Sequence, residues 1–260
     1  MDALLTYDSV EISFGGAAVV RDMSFSLHSG EILGLVGESG SGKSTIIKAA
    51  MGLLGSSGLV TRGDIWFEGK NLPDLPEKEM RRIRGSKIGM IFQDAGASLC
   101  PIRTIGEQIF ESMTAHRQIT KTEAKDASLS LFAKLRFKDG ERIWNSYPFE
   151  LSGGMNQRAG IAISVLMNPS VLFADEPTSA LDVAVQRQVV DELLELRELF
   201  GTAIILVTHD IGVVSAMADS VLVLQQGNKM EYGRARDVLD HPQNSYTRKL
   251  LSAVPKLRRA

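Results

Sequence analysis

The sequence predicts an α/β protein built on a parallel β-sheet, with an antiparallel β portion and an inserted helical segment. Five apolar runs are nearly continuous in Ile, Leu, Val and Phe, as expected of strands buried on both faces of a parallel sheet. The amino-terminal part instead has strand-like segments separated by Gly-rich turns, which is typical of antiparallel strands. The parallel runs are "EILGLVG", "KIGMIFQ", "SVLFADE", "TAIILVTHD" and "DSVLVLQ", and the antiparallel segments are "LLTYDSVEISFGGAAVVRDMSFSL" and "GDIWFEG".

Helical periodicity fills the gaps between the last three apolar runs. "VAVQRQVVDELLELRELF" has apolar residues at helical spacing from Val185 to Phe200, and "IGVVSAMA" is short and apolar. Strands that alternate with helices in this way are joined by right-handed crossovers in a parallel sheet. Both segments are therefore predicted crossover helices.

A helical insert is predicted where the strand signal lapses, from about Ala95 to Met167. "TIGEQIFESMTAH" and "KTEAKDASLSLFAKL" have helical patterns there. We expect one domain over residues 1–260, with the helical subdomain over approximately 95–167 and a short carboxy-terminal helical tail over 235–260.

Composition limits the function classes. With 260 residues, 44% hydrophobic side chains and a formal charge of −2, the chain has a large core and no general basic field, so nucleic acid is not an expected partner. One cysteine, Cys100, makes no internal disulfide, which fits a reducing compartment. Neither a secretory leader nor an apolar run of about 18 residues is present in the sequence, so a cytoplasmic chain is expected.

A glycine-rich stretch, "GESGSGKST", follows the first parallel strand and precedes a predicted helix. It matches G-x-x-x-x-G-K-[ST], in which glycines curl the backbone around phosphates and the helix N-terminus attracts negative charge. Lys43 would reach the β- and γ-phosphates, and the Ser44 hydroxyl would bind Mg²⁺. The alternative, an ordinary glycine-rich turn, seldom matches this pattern between a strand and a helix. The residues predicted to hold the phosphates are Gly37, Ser39, Gly40, Ser41, Gly42, Lys43, Ser44 and Thr45.

Two acidic residues end the run "VLFADEP". Asp175 and Glu176 are delivered to the carboxyl end of a strand, where open α/β sheets bind ligands. Asp175 would hold magnesium, and Glu176 would polarise a water for attack on the γ-phosphate. Taken alone, the two acids are also compatible with capping of the following turn.

The segment "LSGGMNQR", from Leu151 to Arg158, opens another predicted helix. A serine and two glycines at a helix start leave N–H groups and a positive dipole end that suit an anion. A Ser-capped helix explains the segment equally well on its own. Its spacing before "VLFADEP" is the feature that points to a family.

Six motifs occur along the chain in an order and spacing that are characteristic of one protein family. They are "GESGSGKST", Gln93 in "IFQD", "LSGGMNQR", "VLFADEP", "SALD" and His209 in "VTHD". The chain thereby resembles the nucleotide-binding subunit of ATP-binding cassette (ABC) transporters over essentially its whole length. The resemblance implies a P-loop NTPase cassette with a RecA-like core. "MIFQDAGASLCPIRTIGEQI", "YPFELSGGM" and "HPQNSYTRKLLSAVP" are similar to the dipeptide, oligopeptide and nickel importer branch.

The resemblance implies a head-to-tail dimer in which each ATP lies between the P-loop of one cassette and the LSGG segment of the other. Asp182, in "SALD", would organise the dimer seam. The residues implied to contact the partner's ATP are Ser152, Gly153, Gly154 and Gln157.

The resemblance also implies roles around the nucleotide. Phe14 would stack on adenine, although a packing role in a strand core is the alternative. Gln93 would sense magnesium or the attacking water, and His209 would contact the γ-phosphate. Glu176, His209 and Gln93 are thus the implied catalytic residues, with Mg²⁺ held by Ser44, Gln93 and Asp175.

The function implied is ATP hydrolysis that powers an importer, at the cytoplasmic face of the inner membrane as a peripheral subunit. Implied partners are a second cassette, with a heterodimer favoured over a homodimer, two permease subunits and, indirectly, an extracytoplasmic binding protein. The alternative is a non-transport ABC component of a soluble enzyme complex. Peptide, nickel and metal chelate stay open as cargo, and the absence of a cysteine-bearing tail after "LLSAVP" favours nickel or a chelate.

Overall fold

The computed structural model describes residues 3–93, 98–179 and 181–253. The chain divides into two compact units, one of Met1–Met80 with Ala203–Ala260 and the other of Arg81–Thr202. Among the described residues, no helix has the length and apolar character to cross a membrane. The predicted start of the helical insert at Ala95 and the end of the tail, 254–260, lie outside the described residues.

The secondary structure follows the order that the sequence predicts. The elements are β1 (Leu5–Phe14), β2 (Ala17–Leu27), β3 (Ile32–Gly37), α1 (Lys43–Ala50), β4 (Gly58–Phe67), β5 (Lys70–Asn71), α2 (Glu77–Ile83), β6 (Ile88–Ile91), α3 (Ile105–Thr114), α4 (Lys121–Lys134), α5 (Gly140–Asn145), α6 (Gly153–Val165), β7 (Val171–Asp175), α7 (Val183–Phe200), β8 (Ala203–Val207), α8 (Ile211–Met217), β9 (Ser220–Gln225), β10 (Asn228–Arg234), α9 (Ala235–Asp240) and α10 (Ser245–Ser252).

An antiparallel sheet in the first unit has the order β2-β1-β4-β5, which confirms the antiparallel prediction. Tyr7 of β1 stacks on Phe25 of β2 with ring centroids 4.4 Å apart. The Tyr7 hydroxyl, fully buried, donates to the carbonyl oxygen of Ile46 in α1 at 2.9 Å, and burial raises the pKa of this phenol. This hydrogen bond ties the antiparallel sheet to the helix that follows β3.

The parallel strands of the first unit are β9, β3 and β8, with β3 between its two neighbours and β10 added antiparallel to β9. Every residue of β3 and β8 is buried, as their apolar composition predicts. α8 packs tightly on β3, since a Cβ built on Gly34 would lie 2.9 Å from Val214. The predicted strand–helix–strand pattern is confirmed here.

The second unit contains the parallel pair β6 and β7 and the helices α3 to α7. α3 and α4 each begin with a capping box, made by Thr104 with Glu107 and by Thr120 with Glu123. α7 spans the residues of the predicted crossover helix. Between 98 and 167 the described residues contain helices and no strand, as the lapse of strand signal predicts.

Candidate functional site

The glycine-rich motif joins the end of β3 to the start of α1, as predicted. Gly37 has φ of +152°, and a Cβ built there would lie 2.2 Å from the carbonyl oxygen of Leu224. Gly42, the N-cap of α1, has φ of +101°, in the region that glycine adopts at least cost. Glycine is therefore required at both ends of the loop, for closeness to β9 at one end and for backbone conformation at the other.

The Lys43 side chain folds back over this loop. Its Nζ donates to the carbonyl oxygens of Gly37 at 2.8 Å and Glu38 at 2.9 Å, and the residue is only 5% exposed. Ser41 is also buried, and within the described part of the chain its Oγ has no hydrogen-bond partner. A buried ammonium and an unsatisfied hydroxyl in one loop are groups that an anion can satisfy.

The start of α1 also suits an anion. The first N–H groups of a helix lack intrahelical acceptors and carry partial positive charge. Gly42 supplies no side-chain cap, and the first turn of α1 contains no acidic residue. Ser39 and Gly40 are exposed at the loop tip, while Ser44 and Thr45 are half-buried in the first turn. Loop and helix together have the properties of a phosphate site.

His209 and Phe14 belong to the same unit as this loop. β3 and β8 are parallel neighbours with Leu35 aligned to Val207, so the loop and the exposed His209 follow adjacent strand ends at one edge of the sheet. Phe14 ends β1 and is half-buried, and a Cβ built on Gly58 would lie 2.7 Å from its ring. The ring therefore lies over Gly58 and keeps part of its surface accessible.

The second unit gathers the acidic residues and Gln93. β6 and β7 are parallel, with Ile91 aligned to Ala174. Asp175 is the last residue of β7 and is 6% exposed, and Glu176 follows it directly. Gln93 is exposed two residues after the end of β6. These three side chains thus follow neighbouring strand ends at one edge, where parallel sheets bind ligands.

Glu176 has φ of +47°, which is rare for a residue with a Cβ. Its carbonyl oxygen accepts hydrogen bonds from Ser179, from N at 3.2 Å and from Oγ at 3.1 Å. The carbonyl oxygen of Pro177 accepts a hydrogen bond from Gln157 Nε2 at 2.8 Å. The strained conformation of Glu176 is therefore held by its neighbours, as is typical of residues placed for function.

The LSGG segment caps α6. Ser152 Oγ accepts a hydrogen bond from Met155 N at 3.3 Å, and both Ser152 and Gly153 are exposed. Gly154 lies against α7, since a Cβ built on it would lie 2.9 Å from Val185. The segment thus forms a serine-capped helix start that is exposed at Ser152 and Gly153 and packs on α7 through Gly154.

Asp182 and Gln157, two further predicted site residues, differ in their exposure. Asp182 is exposed and caps α7, where its Oδ1 accepts hydrogen bonds from the N–H groups of Ala184 and Val185, both at 3.0 Å. Gln157 is buried, 5% exposed, and its amide donates to the carbonyl after Glu176. The Gln157 side chain therefore lies inside its own unit, unlike the exposed Ser152.

Comparison with known proteins identifies the family of this site. Residues 20–179 match the family model described as ABC transporter. The chain belongs to the ABC transporter family. The matched region contains the phosphate loop, the LSGG segment and the two acidic residues at the end of β7. The cassettes of this family are ATPases, so the phosphate-binding properties of the loop are those of an ATP site.

Relatives extend the similarity of this ABC cassette over nearly the whole chain. It is 45% identical over 260 residues to the oligopeptide transport ATP-binding protein OppD of Escherichia coli (strain K12), covering 98% of this chain and 77% of that protein. It is 42% identical over 263 residues to the dipeptide transport ATP-binding protein DppD of Bacillus subtilis (strain 168), covering 99% and 78%.

Solved structures confirm the cassette fold. The dimeric post-hydrolysis structure of the ATP-binding cassette MJ0796 bound to ADP and phosphate is similar with a TM-score of 0.78 and 28% identity, over 89% of this chain and 99% of that one. CbiO1 from Clostridium perfringens, part of the ABC transporter complex CbiONQ, gives a TM-score of 0.81 and 25% identity, over 98% and 97%. The predicted fold class is confirmed.

In this ABC cassette a buried arginine–glutamate pair fixes the helix that begins at the LSGG segment. Arg158 of α6 donates hydrogen bonds to Glu192 of α7 and to the carbonyl oxygen of Leu135. Its guanidinium lies 4.1 Å from the ring centroid of Phe137. The side chains of Arg158 and Glu192 are only 10% and 4% exposed, so the pair joins α6 to α7 inside the unit.

Burial raises the pKa of Glu192 from 4.5 to about 7, against the lowering effect of Arg158, and nearby Glu195 raises it further. Between about pH 4.5 and pH 7, Glu192 is therefore protonated in the folded chain and ionised in the unfolded chain. Because the folded form binds more protons in this window, the free energy of unfolding falls as the pH rises through it.

Replacing Glu192 by Gln should flatten this part of the pH dependence. Glutamine has no titrating proton, so denaturant unfolding at pH 5 and pH 7.5 should differ less in the variant than in the wild type. Glu198→Gln, at an exposed position of the same helix, is the matched control. An unchanged pH dependence in Glu192→Gln would contradict the raised pKa.

One residue that supports the ATP site escaped the sequence reasoning. Gly227, in the turn between β9 and β10, donates its N–H to the carbonyl oxygen of Ser41 at 3.0 Å. It has φ of +78°, and a Cβ built on it would lie 1.9 Å from the carbonyl oxygen of Val19. The turn-forming sequence "QQGN" signals the bend, but its contact with the phosphate loop is visible only in the fold.

Proposed function

We propose that this ABC cassette binds and hydrolyses ATP to power a peptide importer. The observation that carries the proposal is the phosphate loop, in which buried Lys43 and the glycine backbone form an anion cradle at the start of α1. Membership of the ABC transporter family supports ATP as its ligand. The relatives cited above support peptide transport as the process.

The cradle residues act on the triphosphate by position and charge. Lys43 neutralises the β- and γ-phosphates, and the unsatisfied Ser41 hydroxyl gains an acceptor. Phe14, with part of its ring accessible, stacks on adenine. The full set that holds the phosphates is Gly37, Ser39, Gly40, Ser41, Gly42, Lys43, Ser44 and Thr45.

Magnesium fits the oxygen ligands that the chain offers. The Ser44 hydroxyl, the Gln93 amide oxygen and the Asp175 carboxylate are the hard donors that Mg²⁺ prefers, and Mg²⁺ keeps waters when it binds through few side chains. When bound, the ion neutralises charge on the phosphates. The carboxylate supplies the negative charge that holds it.

Hydrolysis is assigned to three side chains. Glu176 accepts a proton from the attacking water, and hydrogen bonds from Ser179 hold its left-handed backbone. Gln93 orients that water, and His209 contacts the γ-phosphate. Phosphoryl transfer needs little more from a protein than position and charge stabilisation.

Dimer formation completes each ATP site in this proposal. Exposed Ser152 and Gly153, with Gly154, offer a helix start to the nucleotide of a partner cassette, and exposed Asp182 lies at the seam. The dimeric MJ0796 cassette supports this arrangement. Gln157 was expected among the nucleotide contacts, but its burial behind Glu176 favours a supporting role.

The assembly proposed contains a second cassette, with a heterodimer favoured over a homodimer, together with two permease subunits and, indirectly, an extracytoplasmic binding protein. The site of action is the cytoplasmic face of the inner membrane, where the chain is peripheral. We propose that residues 1–260 form one cassette, with the helical subdomain at approximately 95–167 and the tail at 235–260. The relatives cited are named for oligopeptide and dipeptide transport, so we propose peptide as the cargo instead of the nickel or chelate that the sequence favours.

Uptake in the native host tests the proposed function. A strain that lacks this gene, complemented with the wild-type chain, should take up a labelled tripeptide, and the same strain with Glu176→Gln should not. Complementation with Glu198→Gln is the matched control, because it makes the same chemical change at an exposed position. Restoration of ⁶³Ni²⁺ uptake without peptide uptake would overturn the peptide proposal.

A further inference from the structure

The carboxy-terminal tail contacts the phosphate loop, a contact that the proposed function does not use. The segment "HPQNSYTRKLL" forms the turn before α10 and the helix itself. It belongs to the same compact unit as the loop.

Hydrogen bonds anchor the start of this tail to β10. The Glu231 carboxylate accepts from the backbone N–H groups of Gln243 at 2.8 Å and Asn244 at 3.1 Å. Asn244 Nδ2 donates to the carbonyl oxygen of Met230 at 3.1 Å, and its Oδ1 accepts from the N–H of Tyr246 at 2.8 Å. Three hydrogen bonds thus join the turn to strand β10, and the fourth, from Tyr246 to Asn244, fixes the backbone of Tyr246 to that turn.

The Tyr246 ring is 8% exposed and belongs to the apolar cluster that contains Val36 of β3, Val214 of α8 and Val223 of β9. The cluster therefore joins β3, the strand that leads to the loop, to α8 and β9. The packing directs the phenol oxygen to the loop, where it accepts a hydrogen bond from the N–H of Glu38 at 3.3 Å.

That N–H belongs to the peptide group that links Gly37 to Glu38. The carbonyl oxygen of the same peptide group is the Gly37 oxygen, which accepts a hydrogen bond from Lys43 Nζ at 2.8 Å. Because a trans peptide is planar, its N–H and C=O point in opposite directions. Tyr246 and Lys43 therefore hold the two ends of one rigid group at the entrance of the loop.

We infer that Tyr246 is a positioning residue for the phosphate loop, through which the carboxy-terminal tail sets the affinity for MgATP. The phenol fixes the orientation of the Gly37–Glu38 peptide, and this peptide in turn fixes the Lys43 ammonium. The inference rests on the proposed role of the loop in ATP binding. Tyr246 lies outside the six sequence motifs, so the inference adds a residue of the tail to those that support the phosphate loop.

Tyr246→Phe tests this inference because it removes the hydroxyl and keeps the ring in its cluster. We expect about fivefold weaker binding of MgATP to the purified chain, the effect of one lost hydrogen bond. KM for ATP should rise by a similar factor with kcat little changed. Amide hydrogen exchange of the 37–43 peptide, without nucleotide, should be faster than in the wild type.

Tyr232→Phe is the matched control. Its phenol, in the same unit, donates to the carbonyl oxygen of Ser26 at 3.2 Å and is not part of the ATP site. It should leave MgATP affinity and loop exchange unchanged.

The outcomes separate this inference from the proposed function. A wild-type chain that does not bind MgATP would refute the proposed function itself. A wild-type chain that binds MgATP, with Tyr246→Phe equal to Tyr232→Phe in affinity and exchange, would overturn the role of Tyr246. A Tyr246→Phe chain with a lower Tm but unchanged loop exchange would also overturn it, because the effect would then be one of stability alone.

Discussion

Replacement of Glu176 by Gln should lower ATP hydrolysis by at least about 100-fold, the typical contribution of a general base. Glutamine keeps the shape of the side chain and the cost of a left-handed backbone, so the fold should be retained. The amide accepts no proton from water, while the phosphate cradle is untouched. ATP affinity should therefore stay near that of the wild type, and the nucleotide-bound dimer should accumulate.

The measurement is steady-state phosphate release alongside equilibrium ATP binding, with light scattering of the chain and its partner cassette for the mass. Glu198→Gln, in an exposed part of α7, provides the same chemical change without a role in the site. Phosphate release by Glu176→Gln at the wild-type rate would remove Glu176 from the role of base.

Lys43→Ala should weaken ATP binding itself, by about 10-fold to 100-fold, since charge-assisted hydrogen bonds to a phosphate contribute about 1.5 to 3 kcal/mol. The substitution also removes the donor that the carbonyl oxygens of Gly37 and Glu38 share. The loop is then both less positive and less well fixed. Isothermal titration with MgATP measures the effect.

The control is Lys70→Ala, which removes one positive charge at an exposed position. Lys70 of β5 forms an ion pair with Glu79 of α2. Surface pairs of this kind contribute little to stability. Lys70→Ala should bind MgATP as the wild type does. Equal affinity of Lys43→Ala and Lys70→Ala would mean that the loop is not the phosphate cradle.

Much of the fold follows from local sequence, because burial on both faces demands continuous apolar runs. β3, β7, β8 and β9 are read directly from such runs, and α7 is read from its helical spacing. The phosphate loop could also be predicted from sequence, because its glycines occur at positions where the backbone conformation or a close contact disfavours a side chain. At Gly37 the close contact is with the carbonyl oxygen of Leu224, 2.2 Å from a built Cβ.

The contacts that support the site could not be read in this way, because they join residues distant in sequence. Tyr246 and Glu38 are 208 positions apart, and Arg158 and Glu192 are 34 apart. No local pattern encodes either pair. Gln157 shows the same limit, since helical spacing alone does not reveal which side of α6 packs on Pro177.

The carboxy-terminal tail makes another contact between residues distant in sequence. The sequence predicts it as a short helical segment, and the structure shows that it is hydrogen-bonded to β10 and to the phosphate loop. A segment after the last strand of a cassette can thus be tied to the nucleotide site through one side chain. Tyr246 joins the tail to the first peptide group of the loop.

Co-purification tests the central proposal, a cassette that powers a peptide importer, most directly. The chain would be tagged in its native host, membranes solubilised gently and the retained proteins identified by mass spectrometry. We expect two permease subunits and a second cassette, and ATP hydrolysis by the purified assembly that rises with a peptide-loaded binding protein. Recovery of soluble enzyme subunits without any permease would contradict the proposal and place the same ATPase in a non-transport complex.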